Sequence, residues 1–314
     1  MAVLVRRVLL VANPASRSGS GRIHAAERAL ANAGCEVDLR QTGARGDAQR
    51  FAAERMHDVD AVFTLGGDGT VMEVLQTLRS TGIPVGIIPA GTGNLVAHAL
   101  DIPLNVDRAV QALMRGSRRA IDLGRIDSDP PRAFAFAAGV GIDATMVERT
   151  TTYAKRRLGV SAYVLAAGAA ALRHDRFHVR IVTEHGAFEH DTSLTLVANF
   201  GSVLRGGFSL GPSIAPDDGL LDVCVYAPTS GWDAARMLFR IVMRDYRAKG
   251  RMYFVKAREV VIECDPPRIF QADGEIIGMS PVRISVDVGA ATLLVPAPAP
   301  APDTAPAPRI PNEL

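Results

Sequence analysis

Asp68 stands among three glycines in the stretch DAVFTLGGDGTVMEVLQ, Asp60 to Gln76, between an apolar run and a helical pattern. Glycines at Gly66, Gly67 and Gly69 let a backbone approach a ligand closely, and a turn that opens a helix aims N–H groups and a positive helix end at an anion. An aspartate facing phosphates would repel them unless a divalent cation lay between. Mg2+ held by one or two carboxylates plus phosphate oxygens is the common arrangement. The stretch carries neither the Gly-Lys-Ser/Thr of a P-loop nor the G-x-G-x-x-G of a dinucleotide fingerprint. Taken alone, Gly66 to Thr70 is equally well explained as a tight turn in which Asp68 caps the next helix.

A second turn weighs against coincidence. IIPAGTGNLVAHAL carries Ile87, Ile88 and Pro89 through Gly91, Thr92, Gly93 and Asn94 into another helical pattern. Two strand-glycine-helix turns in successive units place two positive helix ends at the carboxyl edge of one parallel sheet, where such folds bind ligands. VANPASRSGSGR adds Asn13, Ser16 and Ser18 at that edge, with Gly19 and Gly21 behind them. Together the three segments read as a triphosphate site. Two acidic turns lie further on. In APDDGLL, Asp218 with neighbouring carbonyls suits a hard cation, although an ordinary Asp-Gly hairpin turn is the commoner origin of such a string. In QADGEIIG, Asp273 and Glu275 are two apart and share a face if extended. Phosphoryl transfer to a hydroxyl needs such a group to accept the proton.

The elements that must position these residues follow from the hydrophobic pattern. From Val8 to Pro89, VLLVA, CEVDLR, AVFTLG and PVGIIP alternate with three helical stretches, which predicts a mostly parallel, Rossmann-like sheet covered on both faces. After about Asp122, short β-type runs from AFAFAAG to VRISVD succeed one another with two helices between, as in an antiparallel sandwich. The expected division is an α/β nucleotide domain over 1–125, a β-sandwich over 126–296 and a Pro/Ala-rich mobile tail over 297–314. With 35 basic against 33 acidic residues, the charge of +2 gives no reason to expect a nucleic-acid partner. Three cysteines without metal or redox spacing fit a reducing cytoplasm. The apolar run Leu158 to Leu172 is too short to span a bilayer and reads as a core helix.

NPASRSGSG, TLGGDGTVMEV, PAGTGNLVAHAL and AIDLG, in that order, resemble the catalytic domain of the diacylglycerol kinase family in its soluble bacterial lipid kinase branch. AAGVGIDA, GGFSLGPSIAPDDGLLDV and QADGE are similar to that branch's β-rich C-terminal domain, so the resemblance runs from about Arg6 to Pro296. It implies ATP as phosphoryl donor, bound by Gly66 to Thr70, Thr92 and Thr42, with Mg2+ organised through water by Asp68 and Asp122. It implies a second, structural Mg2+ held by Asp218 and the carbonyls of Ala215 and Leu220. It implies Glu275 as first choice for the base, with Asp273 as partner or replacement. One family feature is missing, because Leu95 stands where the second turn commonly has an aspartate. Some relatives acting on long-chain bases or ceramides share that gap. A sphingoid-base or ceramide kinase, an NAD-kinase-like enzyme and a nucleotide-sensing pseudokinase therefore stay open beside a diacylglycerol kinase.

A membrane substrate implies peripheral association with the inner face of the membrane, and a homodimer is compatible with the sequence. Arg236, Arg240, Arg244, Arg247 and Arg251 recur at steps of three and four, so one helix through them would carry a basic stripe able to meet anionic headgroups. A solvated charged face is the commoner cause of such stripes.

Overall fold

The computed structural model describes residues 5–141, 176–203, 208–247 and 251–297. The run 158–172 and residues 298–314 of the tail lie outside the described residues. Four strands, β1 (Arg7–Ala12), β2 (Glu36–Gln41), β3 (Ala61–Gly66) and β4 (Pro84–Pro89), pair in parallel in the order β2-β1-β3-β4. Every residue of β3 and β4 is buried, as expected of strands covered on both faces. The covering helices include α1 (Gly19–Asn32), α2 (Asp47–Arg55), α3 (Asp68–Thr77), the short α4 (Leu95–Ala99) and α5 (Val106–Met114). Crossovers between parallel strands bring the ends of β1, β3 and β4 to one edge, where Asn13, Asp68 and Gly91 follow them.

The second half is antiparallel. One sheet runs β14 (Met252–Ala257), β13 (Leu221–Tyr226), β10 (Leu194–Ala198), β7 (Ala137–Val140), β16 (Ile269–Ala272) and β17 (Glu275–Met279). Facing it are β15 (Glu259–Asp265), β8 (Phe177–Thr183), β9 (Gly186–Thr192) and the first part of β18 (Val282–Val295). Phe134, Val179, Val197, Val223, Ile262, Phe270 and Ile284 fill the core between the sheets.

A connection between the two halves has no signal in the sequence pattern. The 14-residue β18 breaks register between Asp287 and Ala291; before the break it pairs with β15, and after it Thr292 and Leu293 pair in parallel with Pro84 and Val85 of β4. Strand β5 (Ser117–Ile126) pairs with β18 on both sides of the break, and β6 (Arg132–Phe134) extends it. Continuous strands therefore tie the sandwich to the nucleotide-type sheet. The reading from hydrophobic runs stops the strand at VRISVD and misses ATLLV, because Val288, Gly289 and Ala290 interrupt the alternation at the bulge.

Candidate active site

The two glycine turns are built against one another. Gly67 and Gly91 cross so closely that a Cβ on Gly91 would stand 2.4 Å from the Gly67 Cα, so the second turn tolerates no side chain there, and a Cβ on Gly67 would be tight at 3.3 Å from the Gly91 Cα. A Cβ on Gly93 would stand 2.6 Å from Oδ2 of Asp68, which shows where that carboxylate lies: between the turns. Oδ1 of Asp68 accepts the Leu95 N–H at 2.6 Å, so the carboxylate of α3 also caps α4. Burial pushes the Asp68 carboxyl up from the usual carboxylate range, and the N–H groups of Leu95, Asn94 and Val96 draw it back. No basic side chain among the described residues pairs with it. A carboxylate that loses water and gains no cation from the protein is a fitting ligand for a divalent ion held jointly with phosphates.

Asn94 takes a left-handed conformation (φ 50°), and its side chain closes its own turn, accepting from Gly91 N–H and donating to the Gly91 carbonyl, both at 2.9 Å. One N–H and one lone pair of its amide are therefore used in closing the turn. Asn13 reaches Thr70, Nδ2 to Oγ1 at 3.3 Å, and its N–H bonds the Leu65 carbonyl at 2.9 Å, fastening the first edge segment to the Gly66–Thr70 turn. Thr42 is buried beside the end of β1, its N–H 2.9 Å from the Ala12 carbonyl. Thr92 is half-buried in the second turn, between Gly91 and Gly93. The structure thus brings Asn13, Thr42, Gly66–Thr70 and Gly91–Asn94 to one edge.

From the second half, Asp273 comes to the same place. It is held at φ 46° in the turn between β16 and β17, and its carboxylate accepts three backbone N–H groups, Ala135 at 2.7 Å and Phe136 and Ala137 at 3.0 Å. Burial pushes Asp273 up to about 6 against the pull of those donors, and the charge of Asp68 adds to the rise. The two carboxylates therefore feel one another. Of about four acceptor positions on a carboxylate, three are taken, leaving one for a proton. Glu275 is half-exposed instead, and Oε2 accepts from Arg45 in the loop before α2, with Arg132 at 3.7 Å. Sequence reasoning missed Arg45, whose signal would have been a lone arginine between the Thr42 segment and α2. It also missed Glu73, which accepts the N–H groups of Gly46 and Ala48 and so anchors that loop to α3.

Asp122 stands elsewhere than its expected company. It is 1% exposed; Oδ1 accepts the Gly289 N–H and Oδ2 the Gly219 N–H, each at 2.7 Å, and its own N–H bonds the Pro216 carbonyl at 2.6 Å. Its carboxylate pins the Asp218 loop to the β18 bulge, and none of its hydrogen bonds reaches the glycine turns. Asn199 continues the chain of contacts, donating to the carbonyls of Asp122 at 2.8 Å and Ala135 at 2.9 Å.

Ala215, Asp218 and Leu220 share one loop before β13, but the donor set does not fit a divalent ion as it stands. Nζ of Lys256 lies 2.7 Å from Asp218 Oδ2 and 3.1 Å from both Asp222 Oδ2 and the Ser213 carbonyl, while Asp218 Oδ1 accepts the Leu220 N–H at 3.0 Å. An ammonium has three donors, and all three are used. Lys256 supplies the positive charge that the resemblance assigns to a metal. Burial pushes Asp222 up to about 6 even beside this lysine. Lys256→Met should therefore cost about 3 kcal/mol in urea unfolding at pH 8, by stranding the Asp222 charge. The loss should shrink at pH 5, where Asp222 protonates. An equal loss at both pH values would assign the cost to packing alone. Chelator should leave the wild-type turn's stability unchanged, whereas recovery of the variant by Mg2+ would show that the donors accept a divalent ion once the ammonium is gone.

Comparison with known proteins agrees with this architecture. Residues 7–126 match the family described as diacylglycerol kinase catalytic domain, and residues 137–295 the one described as YegS C-terminal NAD kinase beta sandwich-like domain. A Mycobacterium tuberculosis protein named diacylglycerol kinase is 31% identical over 93% of this chain and 96% of its own length. A Stenotrophomonas maltophilia protein named probable lipid kinase YegS-like is 30% identical over 84% of this chain and 88% of its own. The chain spans about half, 52%, of an uncharacterized Synechocystis protein that is 30% identical over 71% of this chain. A crystal structure of a diacylglycerol kinase from Bacillus anthracis superposes with a TM-score of 0.72 at 23% identity, covering 93% of this chain and 97% of that one, a likeness that shows the fold. On these matches and the paired glycine turns, the chain belongs to the diacylglycerol kinase family, as a kinase with a YegS-type C-terminal domain.

Proposed function

We propose that this chain is an ATP-dependent lipid kinase that transfers the γ-phosphoryl group of ATP to a hydroxyl of a membrane lipid, with diacylglycerol as the first acceptor to test. The observation that carries this reading is the Asp68 carboxylate enclosed between two abutting glycine turns without a protein cation. The Gly66–Thr70 turn, the Thr92 and Gly93 N–H groups of the second turn and the positive end of α3 would face the phosphates, with Asn13 and Thr42 around them, while the Gly91 and Asn94 N–H groups hold the turns themselves together. Mg2+ at Asp68 would neutralise phosphate charge during transfer. The Mycobacterium relative's name supports diacylglycerol as acceptor.

On this reading Asp273 takes the acceptor proton, because it has an acceptor position free, it is close enough to Asp68 to feel its charge, and its pKa of about 6 suits a base near neutrality. The acceptor O–H bond breaks toward Asp273 as the new P–O bond forms, and ADP leaves with the electrons of the old one. Glu275, tied to Arg45 and Arg132, holds the DGE turn against the nucleotide domain, which reverses the order of preference that the resemblance gives. Such an enzyme would work at the cytoplasmic face, where ATP and the inner leaflet meet.

The test is incorporation of label from γ-labelled ATP into diacylglycerol, sphingosine, ceramide, undecaprenol and NAD, each offered separately. Label in a lipid is expected. Label in NAD alone would replace the lipid reading with a soluble substrate, and ATP binding without transfer to any of them would leave a nucleotide sensor.

A further inference from the structure

The helix α6 (Gly231–Val242) is well made at both ends. Ser230 accepts the Asp233 N–H at 3.1 Å as N-cap, and Arg244 at φ 53° ends the helix, its N–H bonding the Ile241 carbonyl while the Asp245 N–H bonds that of Arg240. The expected basic stripe therefore stops short: Arg236 and Arg240 lie on the helix, Arg244 terminates it, and Arg247 and Arg251 lie beyond. Ala234, Met237 and Ile241 face the interior. Outward, Trp232 is 75% exposed, Phe239 62%, Met243 59%, Val242 45% and Leu238 37%. Five of the eleven large apolar side chains exposed among the described residues thus fall within one helix and its cap. Scattered apolar residues are normal, whereas clustered ones mark a binding surface.

Charge chooses the partner. Between residues 231 and 251 there are six basic residues and two acidic ones, Asp233 and Asp245. Both acids already pair with arginines, Asp233 with Arg251, and Asp245 with Arg240 and Arg247. Arg236 is exposed on the helix between Trp232 and Phe239. A second copy seated on this face would set arginines against arginines, which opposes association. An anionic bilayer offers apolar depth for the aromatic side chains and phosphate for the arginines at the same surface. The placement is also apt. Helix α6 packs on β12 (Phe208–Ser209), which pairs with β11 (Ser202–Val203), which packs on α4, whose first N–H holds Asp68.

We propose that the outer face of α6 docks this protein on anionic phospholipid bilayers, Trp232 and Phe239 entering the interface and Arg236 meeting headgroups. This deepens the lipid kinase reading and rests on it only for its purpose, since docking can be measured without catalysis. Trp232 is the chain's one tryptophan, so its fluorescence reports on this face directly. Full-length protein titrated with vesicles of phosphatidylcholine and phosphatidylglycerol at 7:3 should show a blue shift of emission and quenching by brominated lipid, with little change on phosphatidylcholine alone. Phe239→Ser and Arg236→Glu should each weaken partitioning at least tenfold in cosedimentation. Both should keep wild-type phosphorylation of a short-chain diacylglycerol presented as monomer. Unmoved Trp232 emission, or equal partitioning of wild type and variants, would overturn the proposal. So would a lipid-free, concentration-dependent shift accompanied by dimers in sedimentation velocity. Vesicle binding by a protein inactive on every lipid would retain docking and remove the kinase reading.

Discussion

Asp68→Asn should leave a folded protein that binds ATP and transfers the phosphoryl group at least about a hundredfold more slowly. The amide oxygen can still accept the Leu95 N–H that Oδ1 accepts at 2.6 Å, so the seam between the turns is kept and only charge is lost. Loss of a preorganised charge at a transferring group is worth about a hundredfold to a thousandfold in kcat, and more where it also holds the metal. Stability should move the other way. Burial raises the Asp68 carboxyl, so its ionised form destabilises the folded state at neutral pH, and a neutral amide should match or exceed wild type in melting temperature. ATP affinity gives a third readout. In chelator the variant should bind ATP more tightly than wild type, because a carboxylate no longer faces bare phosphates. In Mg2+ it should bind more weakly. Activity within severalfold of wild type, or weaker ATP binding in chelator, would remove Asp68 from the phosphate site.

What could be read from the sequence, and what could not, divides along a physical line. The parallel character of the sheet of β1 to β4 was legible from strand-helix alternation, and the turns after β3 and β4 because glycine has few reasons to recur between an apolar run and a helix, and local backbone chemistry fixes those reasons. The conflict at Gly67 and Gly91 was not, since it depends on two turns 24 positions apart meeting in space. The ammonium in the Asp218 loop follows the same rule: Lys256 lies 38 positions away on β14, and nothing near APDDG announces it. Asp122 in AIDLG and Asp68 in GGDG are both carboxylates in glycine-bearing segments, and only the partners of their oxygens separate a structural pin from the proposed metal ligand. The basic stripe after Arg236 was legible as a period, but where the helix stops depends on Arg244 accepting a left-handed conformation that a side-chain pattern does not encode.

The larger remaining bet concerns the DGE turn, where the pair of carboxylates can be separated by their pH dependence. Asp273 is raised to about 6, chiefly by burial and further by Asp68, so the base reading requires kcat/KM for the lipid to fall as pH drops through about 6 and to level off above it. Asp273→Asn should flatten that limb and lower the plateau about a hundredfold to ten-thousandfold, the usual worth of a general base. An amide also presents N–H where three backbone N–H groups now find acceptors, so the melting temperature of this variant must be measured beside its rate. Glu275→Gln is the control that keeps the test sharp. Oε2 of Glu275 binds Arg45 and lies near Arg132, both exposed, so its loss should slacken the turn and raise KM while leaving the limb near pH 6 in place. If Glu275→Gln abolishes the limb and Asp273→Asn preserves it, the proton goes to Glu275 and the order returns to the one that the resemblance implies. Should both variants keep wild-type single-turnover rates with lipid and saturating ATP, no base acts at this turn, and transfer through a loose, metaphosphate-like state would rest on the charges around Asp68 alone.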